Sequence, residues 1–322
     1  MEPTTAPVIV LGVRRSGTTL LRVMLDRNSQ LAVPDESYFI PQLAERHRGG
    51  IDVEDFVEDL RRIPTLREWE VDPGKVRERL RPGMPVGEAV GAVFATYAAD
   101  RGKLRWGDKT PMYMQYLPLL ERLFPDALYV HLVRDGRDAA ASYLQMPSGI
   151  VTESWGHPTS AAGFGCQWGT EVKAARALGR RVGPVRYHEL RYEQLVESPE
   201  EVLEAVCSFA GLPWEPDMLG YAQEVDVSAR PHQQSLKRPP TSGLRDWRTE
   251  LGADDVAGFE DVAGDVLAEL GYELGDPSRS AGPSRRGRAK LAAYRAQTWA
   301  WRSAGSLVRR SPLWARRHQP LA

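Results

Sequence analysis

Hydrophobic positions fall along this chain in blocks that predict short strands running into loops and helices. Val8-Ile9-Val10-Leu11 is an unbroken apolar run of the kind that fills a strand covered on both faces, and Leu20 to Leu25 sets apolar residues at a spacing suited to a helix packed on a sheet. Leu31-Ala32-Val33-Pro34, the run Ala127 to Val133 and the run Pro184 to Leu190 read as further strands. Residues 39–104 repeat apolar and charged positions at helical spacing, with breaks at Gly49-Gly50, Pro73-Gly74 and Pro82-Gly83, and predict a helical insertion. The stretch 146–165, rich in Gly, Ser, Thr and Pro, reads as a long lid-like loop. Ser198-Pro199-Glu200-Glu201 marks an N-cap, a proline in the first turn and two acids, opening a helix that reaches Ala210 and stops at Gly211. Asp254 to Leu270 forms a last amphipathic helix ending at Gly271. Strands separated by helices predict an α/β fold, with no internal repeat.

Between the first strand and the first helix lies Gly12-Val13-Arg14-Arg15-Ser16-Gly17-Thr18-Thr19, a phosphate-loop frame of glycine, four residues and glycine. Its backbone N–H groups suit an anion, and the following helix turns its positive dipole end to the same place. Thr18 stands where a nucleotide triphosphatase needs lysine. The next strongly apolar strand ends in Arg134-Asp135-Gly136-Arg137-Asp138 rather than in a lone metal-binding aspartate. A donor with a single 5′-phosphate and a less charged transferring group needs neither that lysine nor a metal; 3′-phosphoadenylyl sulfate is such a donor.

Composition narrows the remaining choices. The chain of 322 residues is 42% hydrophobic, enough for one substantial core, and its formal charge of −1 argues against a general nucleic-acid binder. Two cysteines, Cys166 and Cys207, argue against a disulfide framework and a four-ligand zinc site, and fit a reducing cytoplasm. The first apolar run is too short for a signal peptide or a membrane span. The six histidines do not cluster, and His131, alternating within a strand, reads as structural. Charge is uneven: residues 277–322 carry eleven Lys or Arg and no acid, leaving the body with 31 basic against 43 acidic residues. Leu291, Tyr294, Thr298, Trp301 and Val308 share one helical stripe of this tail, while Arg288, Arg295, Arg302 and Arg309 recur every seven residues on another. Such a basic amphipathic helix fits an anionic membrane surface, the acidic body or a second subunit, with Gly305 and Pro312 expected to interrupt it.

Taken in order, the motifs resemble those of the sulfotransferases that use 3′-phosphoadenylyl sulfate, above all the tyrosylprotein sulfotransferases and their bacterial relatives. The resemblance spans most of residues 7–272. It implies a phosphate-loop sulfotransferase-type parallel sheet flanked by helices in residues 1–276, with the helical insertion and a basic C-terminal helical tail at 277–322. Arg15, Ser16, Gly17, Thr18 and Thr19 match the loop that holds the donor's 5′-phosphosulfate. Arg134 and Ser142, eight positions later, match its 3′-phosphate site. Tyr192, in Tyr192-Glu193-Gln194-Leu195, and Lys237, ten residues before Trp247, match further donor contacts. Glu36, beside Asp35 and 21 residues after Arg15, matches the catalytic base; Lys109 in Lys109-Thr110-Pro111 matches the group that stabilises the leaving oxygen, with Ser228 assisting. Two positions depart from the relatives: Tyr38 and Met146 stand where they carry arginine.

The implied reaction moves a sulfuryl group from 3′-phosphoadenylyl sulfate to a hydroxyl or phenol, with no metal. The implied acceptor is a small molecule, a lipid-like molecule or a tyrosine-containing chain, and the expected setting is the cytoplasm or the inner membrane surface. On the residues alone, a small-molecule kinase using ATP and a non-catalytic nucleotide-binding scaffold stay open.

Overall fold

The computed structural model describes residues 5–146, 158–223, 237, 246–276, 278 and 282–309. Five parallel strands, β1 (Val8–Leu11), β2 (Leu31–Ala32), β3 (Arg105–Lys109), β4 (Leu128–Val133) and β5 (Tyr187–Arg191), form one sheet in the order β2-β3-β1-β4-β5. β1 is the middle strand, paired with β3 from Val8↔Gly107 and with β4 from Val8↔Leu128. The chain leaves β1 toward β2 on one side, then crosses back from β3 to β4 on the other. In a parallel α/β sheet, that change of direction opens a crevice at the carboxyl ends of the strands.

Alternation along β1 divides the core. Val8 and Val10 face one side with Leu21, Leu25 and Leu203, while Ile9 and Leu11 face the other with Phe94, Phe164 and Trp168. The first side is covered by helices Thr18–Asp26 and Pro199–Ala210, the second by Val86–Ala99 and Ala161–Val182. With every residue of β1 and β4 buried, each strand reads as an apolar run because both its faces are dry.

Several boundaries depart from the sequence reading. Five helices, Ile40–Arg46, Val53–Arg62, Pro64–Glu68, Pro73–Arg77 and Val86–Ala99, lie between β2 and β3. Pro73-Gly74 starts a helix instead of breaking one, because Asp72 caps it by accepting from Gly74 N at 2.8 Å. The glycine-rich residues 161–165 belong to a helix, capped by the Ser160 side chain at Gly163 N, and not to a loop. Residues 147–157 of the expected lid lie outside the described residues. Strand β5 starts at Tyr187, three residues later than the run that predicts it, and extends to Arg191. The helix Pro199–Ala210 stops at Gly211 with φ 64°, but Ser198 caps it by position only, with no side-chain cap hydrogen bond.

The tail forms a helix, Arg285–Arg309. It runs through Gly305, because one glycine costs only about 1 kcal/mol relative to alanine and does not end a helix by itself. Pro312 lies outside the described residues. Leu291 and Tyr294 pack on the main core, and Ser284 N donates to Asp261 Oδ1 at 3.0 Å, so the first half of this helix is docked on the body. Arg285, Arg286, Arg288 and Arg295 are exposed.

Candidate active site

The loop after β1 is shaped by two residues with left-handed backbone. Arg15 has φ 69° and Gly17 has φ 89°. A Cβ on Gly17 would lie 2.3 Å from Tyr192 Cδ2, so only glycine allows the loop to pass under that ring. Gly17 caps the helix Thr18–Asp26, which has no side-chain cap and no acid in its first turn, leaving its positive end open to an anion. Ser16 Oγ and Arg134 Nε are buried with no hydrogen-bond partner among the described residues. Two buried donors lacking acceptors fit an anionic ligand.

Arg134 leaves the end of β4 and ties three expected donor contacts together. Its guanidinium donates to Arg15 O at 3.2 Å and lies 4.4 Å from the centre of the Tyr192 ring. Arg15 Nε in turn donates to Ser142 Oγ at 3.0 Å. The residues expected at the 5′- and 3′-phosphates are therefore linked through Arg15, a contact that sequence spacing does not reveal. The neighbouring charges have structural partners. Arg137, buried, pairs with Asp135 at 2.7 Å and Glu260 at 2.7 Å and stacks on Trp247. Asp138 accepts from Trp247 N at 2.8 Å, and burial pushes its carboxyl up to about 6. Glu193 accepts from Asp135 N at 3.0 Å, fixing the β4 loop against β5.

On the other side of the crevice, Lys109 ends β3. Its ammonium donates to Glu36 Oε1 at 2.5 Å and reaches Thr19 Oγ1 at 3.3 Å, joining the expected base, the expected leaving-group cation and the loop helix. Burial lowers the Lys109 pKa, and the Glu36 carboxylate opposes that shift. Asp35 is committed to Arg22 at 2.9 Å. Tyr38 donates its phenol proton to Glu36 Oε2.

The Glu36 loop is held by a buried network absent from the sequence reading. Ser37 Oγ bonds Asp108 Oδ1 at 2.7 Å and Tyr113 OH at 2.8 Å, while Ser37 N donates to Thr110 Oγ1 at 2.9 Å. Burial pushes the Asp108 carboxyl up to about 7, against the pull of the Ser37 and Thr110 hydroxyls. Its one visible sequence signal is an aspartate inside a strand that is buried throughout. A groove of about 870 Å³ opens beside Tyr38, lined among others by Pro41, Val86, Met112, Tyr116 and Arg122.

Ser228 lies outside the described residues. Lys237 is exposed and makes no hydrogen bond or ion pair among them. Met146 packs on the core. His131 Nδ1 is bonded to Tyr187 OH at 2.6 Å, inside the sheet. Among the described residues, no group of three His, Cys, Asp or Glu side chains is placed to hold a metal, and no helix is long and apolar enough to cross a membrane.

Residues 7–216 match the model of the sulfotransferase family. The chain belongs to that family. This sulfotransferase is 27% identical to the nodulation protein NoeE of Sinorhizobium fredii, over 90% of this chain and 72% of that protein. It is 28% identical to protein-tyrosine sulfotransferase A of Caenorhabditis elegans, over 84% and 68%. Among solved structures, the sulfotransferase domain of the curacin biosynthetic pathway shares the fold, with TM-score 0.60 and 23% identity over 85% of this chain and 100% of that one. The sulfotransferase domain of the Synechococcus PCC 7002 olefin synthase gives 0.54 and 25%, over 80% and 95%. Sulfuryl transfer from 3′-phosphoadenylyl sulfate to a hydroxyl acceptor is accordingly the activity of this sulfotransferase, in place of the ATP-kinase and scaffold readings.

Proposed function

We propose that the sulfotransferase works through Glu36 as general base and Lys109 as the cation on the leaving oxygen, with the loop 15–19, Arg134, Ser142 and Tyr192 holding the donor. The observation that carries this is the Lys109 ammonium, in contact with both Glu36 Oε1 and Thr19 Oγ1 where the ends of β1, β2 and β3 converge. The donor supplies an activated sulfuryl group on its 5′-phosphate. Loop amides, Ser16 and the helix end meet the 5′-phosphosulfate, and Arg134 with Ser142 meets the 3′-phosphate. Glu36 takes the proton of the acceptor hydroxyl as its oxygen bonds to sulfur. Lys109 meets the charge left on the bridging oxygen as that S–O bond breaks, the kind of fixed electrostatics that dominates much enzymatic rate enhancement.

The groove beside Tyr38 is the proposed acceptor entrance, apolar along Val86 and Met112 and cationic at Arg122. The related proteins include protein-tyrosine sulfotransferases, and a tyrosine-like phenol, a small molecule or a lipid-like hydroxyl belongs to the proposal. The proposal includes no metal, since Thr18 replaces the triphosphate lysine and Arg134 leads the β4 loop. Two buried free cysteines support a cytoplasmic setting, and the exposed arginines of helix Arg285–Arg309 offer a face for an anionic membrane or a second subunit.

Calorimetry with adenosine 3′,5′-bisphosphate and ADP tests the donor site. The bisphosphate is expected to bind more tightly than ADP, and Arg134→Ala to weaken it roughly ten- to hundredfold, the worth of a lost charge-assisted contact. An Arg134→Ala protein that keeps the full preference for the 3′-phosphate refutes the assignment.

A further inference from the structure

Glu36 has two carboxylate oxygens, and each already accepts a hydrogen bond. Oε1 receives the Lys109 ammonium; Oε2 receives the hydroxyl of Tyr38. A base that takes a proton from an acceptor hydroxyl needs an oxygen within hydrogen-bond reach of it. With Lys109 buried on one oxygen, the oxygen held by an exposed side chain is the one that Tyr38 covers.

The backbone is bent to bring Tyr38 there. Ser37 is buried and clamped by Asp108, Thr110 and Tyr113, and Phe39 is buried in the core, so the residue between them is displayed outward. Phe39 N donates to Ser37 O at 2.7 Å across Tyr38, whose φ is 56°. A three-residue turn with a left-handed central residue is uncommon and strained, and a tyrosine at its centre needs a compensating contact. That contact is the bond to Glu36. Tyr38 is 48% exposed and is itself part of the groove wall, so one side chain touches both the groove and the carboxylate. An exposed side chain on a two-residue tether, lining the groove and holding its phenol on the proposed base, occupies the place of a substrate hydroxyl.

We propose that Tyr38 is an internal competitor of the acceptor: its phenol occupies the Glu36 oxygen in the resting enzyme, and an acceptor binds productively only by displacing it. Tyr38 thereby sets acceptor selectivity, favouring hydroxyls that bond Glu36 better than its own phenol does and rejecting weaker ones. A short tether gives such a competing group an effective concentration on the order of millimolar. The apparent acceptor affinity then falls by the fraction of molecules in which Tyr38 is displaced.

The proposal rests on Glu36 as the base, and the experiment separates the two. Calorimetric titration of 2-naphthol into the full-chain complex with adenosine 3′,5′-bisphosphate gives a Kd without requiring turnover. Tyr38→Phe keeps the ring and removes the hydroxyl, so the Kd is expected to fall about three- to tenfold. In 2-naphthol sulfation the KM is expected to fall in parallel. A ring that merely shapes the groove gives equal Kd values for the two proteins; that result, a Kd raised by Tyr38→Phe, or no 2-naphthol binding to either protein overturns the proposal. Glu36→Gln in a single-turnover assay tests the base independently, so an unchanged Kd in Tyr38→Phe removes the competition and leaves the base standing.

Discussion

Replacing Asp108 with asparagine isolates the buried network behind the proposed pair of Glu36 and Lys109. Asp108 is 1% exposed, its Oδ1 accepts from Ser37 at 2.7 Å and from Thr110 at 3.2 Å, and its Oδ2 has no partner among the described residues. Burial, reinforced by the Glu36 charge, raises its pKa to about 7 in the folded chain. In the unfolded chain an aspartate titrates near 3.9. The folded state therefore holds this proton more tightly. Stability falls as pH rises from about 4 to about 7, by roughly 1.4 kcal/mol per unit and on the order of 4 kcal/mol in all, and levels off above that window. Asp108→Asn keeps the Oδ1 acceptor and cannot ionise. The amide that replaces Oδ2 costs about 1–3 kcal/mol at every pH, a constant offset that adds no pH dependence, while the pH dependence due to Asp108 is lost. Urea unfolding followed by tryptophan fluorescence, at about pH 5 and about pH 8, reads the difference between variant and parent. That difference is expected to shift in favour of Asp108→Asn by roughly 2–4 kcal/mol between the two conditions. Parallel stabilities across the window would show that Asp108 is ionised in the folded protein, and would refute burial as the dominant influence on it.

Gly17→Ala forces a Cβ into the Tyr192 ring and a non-glycine residue to φ 89°, a backbone cost of about 1–2 kcal/mol; adenosine 3′,5′-bisphosphate binding is expected to weaken about tenfold or more by calorimetry, and full affinity would contradict the loop's role. Deleting residues 277–322 uncovers the surface under Leu291 and Tyr294, two half-buried side chains worth about 1 kcal/mol each, so the thermal midpoint is expected to drop by several degrees while donor binding persists. An unchanged midpoint would contradict docking of the tail helix.

The parts of the site legible in the sequence are those written in adjacent residues. The loop at Gly12 to Thr19 follows an apolar run directly, and Arg134 follows another, so both strand ends announce themselves through local pattern. Glu36 and Lys109 stand out only through resemblance, since nothing within a few residues of either reports that β2 and β3 are neighbours. Contacts between distant segments were not legible: Arg15 with Ser142, Arg137 with Glu260, and Ser37 with Asp108 and Tyr113. Pro73-Gly74 misleads because a helix start and a break share the same residues, and only the Asp72 cap tells them apart. Gly165 misleads similarly, its place in helix Ala161–Val182 serving close packing against Phe259 and Val262, while Gly163 lies against Pro158 and the capping Ser160.

Glu36→Gln addresses the proposed chemistry most directly. Rapid-quench single turnover with radiolabelled 3′-phosphoadenylyl sulfate, using the phenol or alcohol that the parent sulfates fastest, separates the chemical step from binding. Donor affinity is expected to stay within about twofold of the parent while the rate of sulfuryl transfer falls roughly 10²–10⁴-fold, the usual worth of a positioned base. A Glu36→Gln protein that transfers sulfuryl at the parental rate would contradict the assignment of Glu36 and of the Lys109 pair built around it.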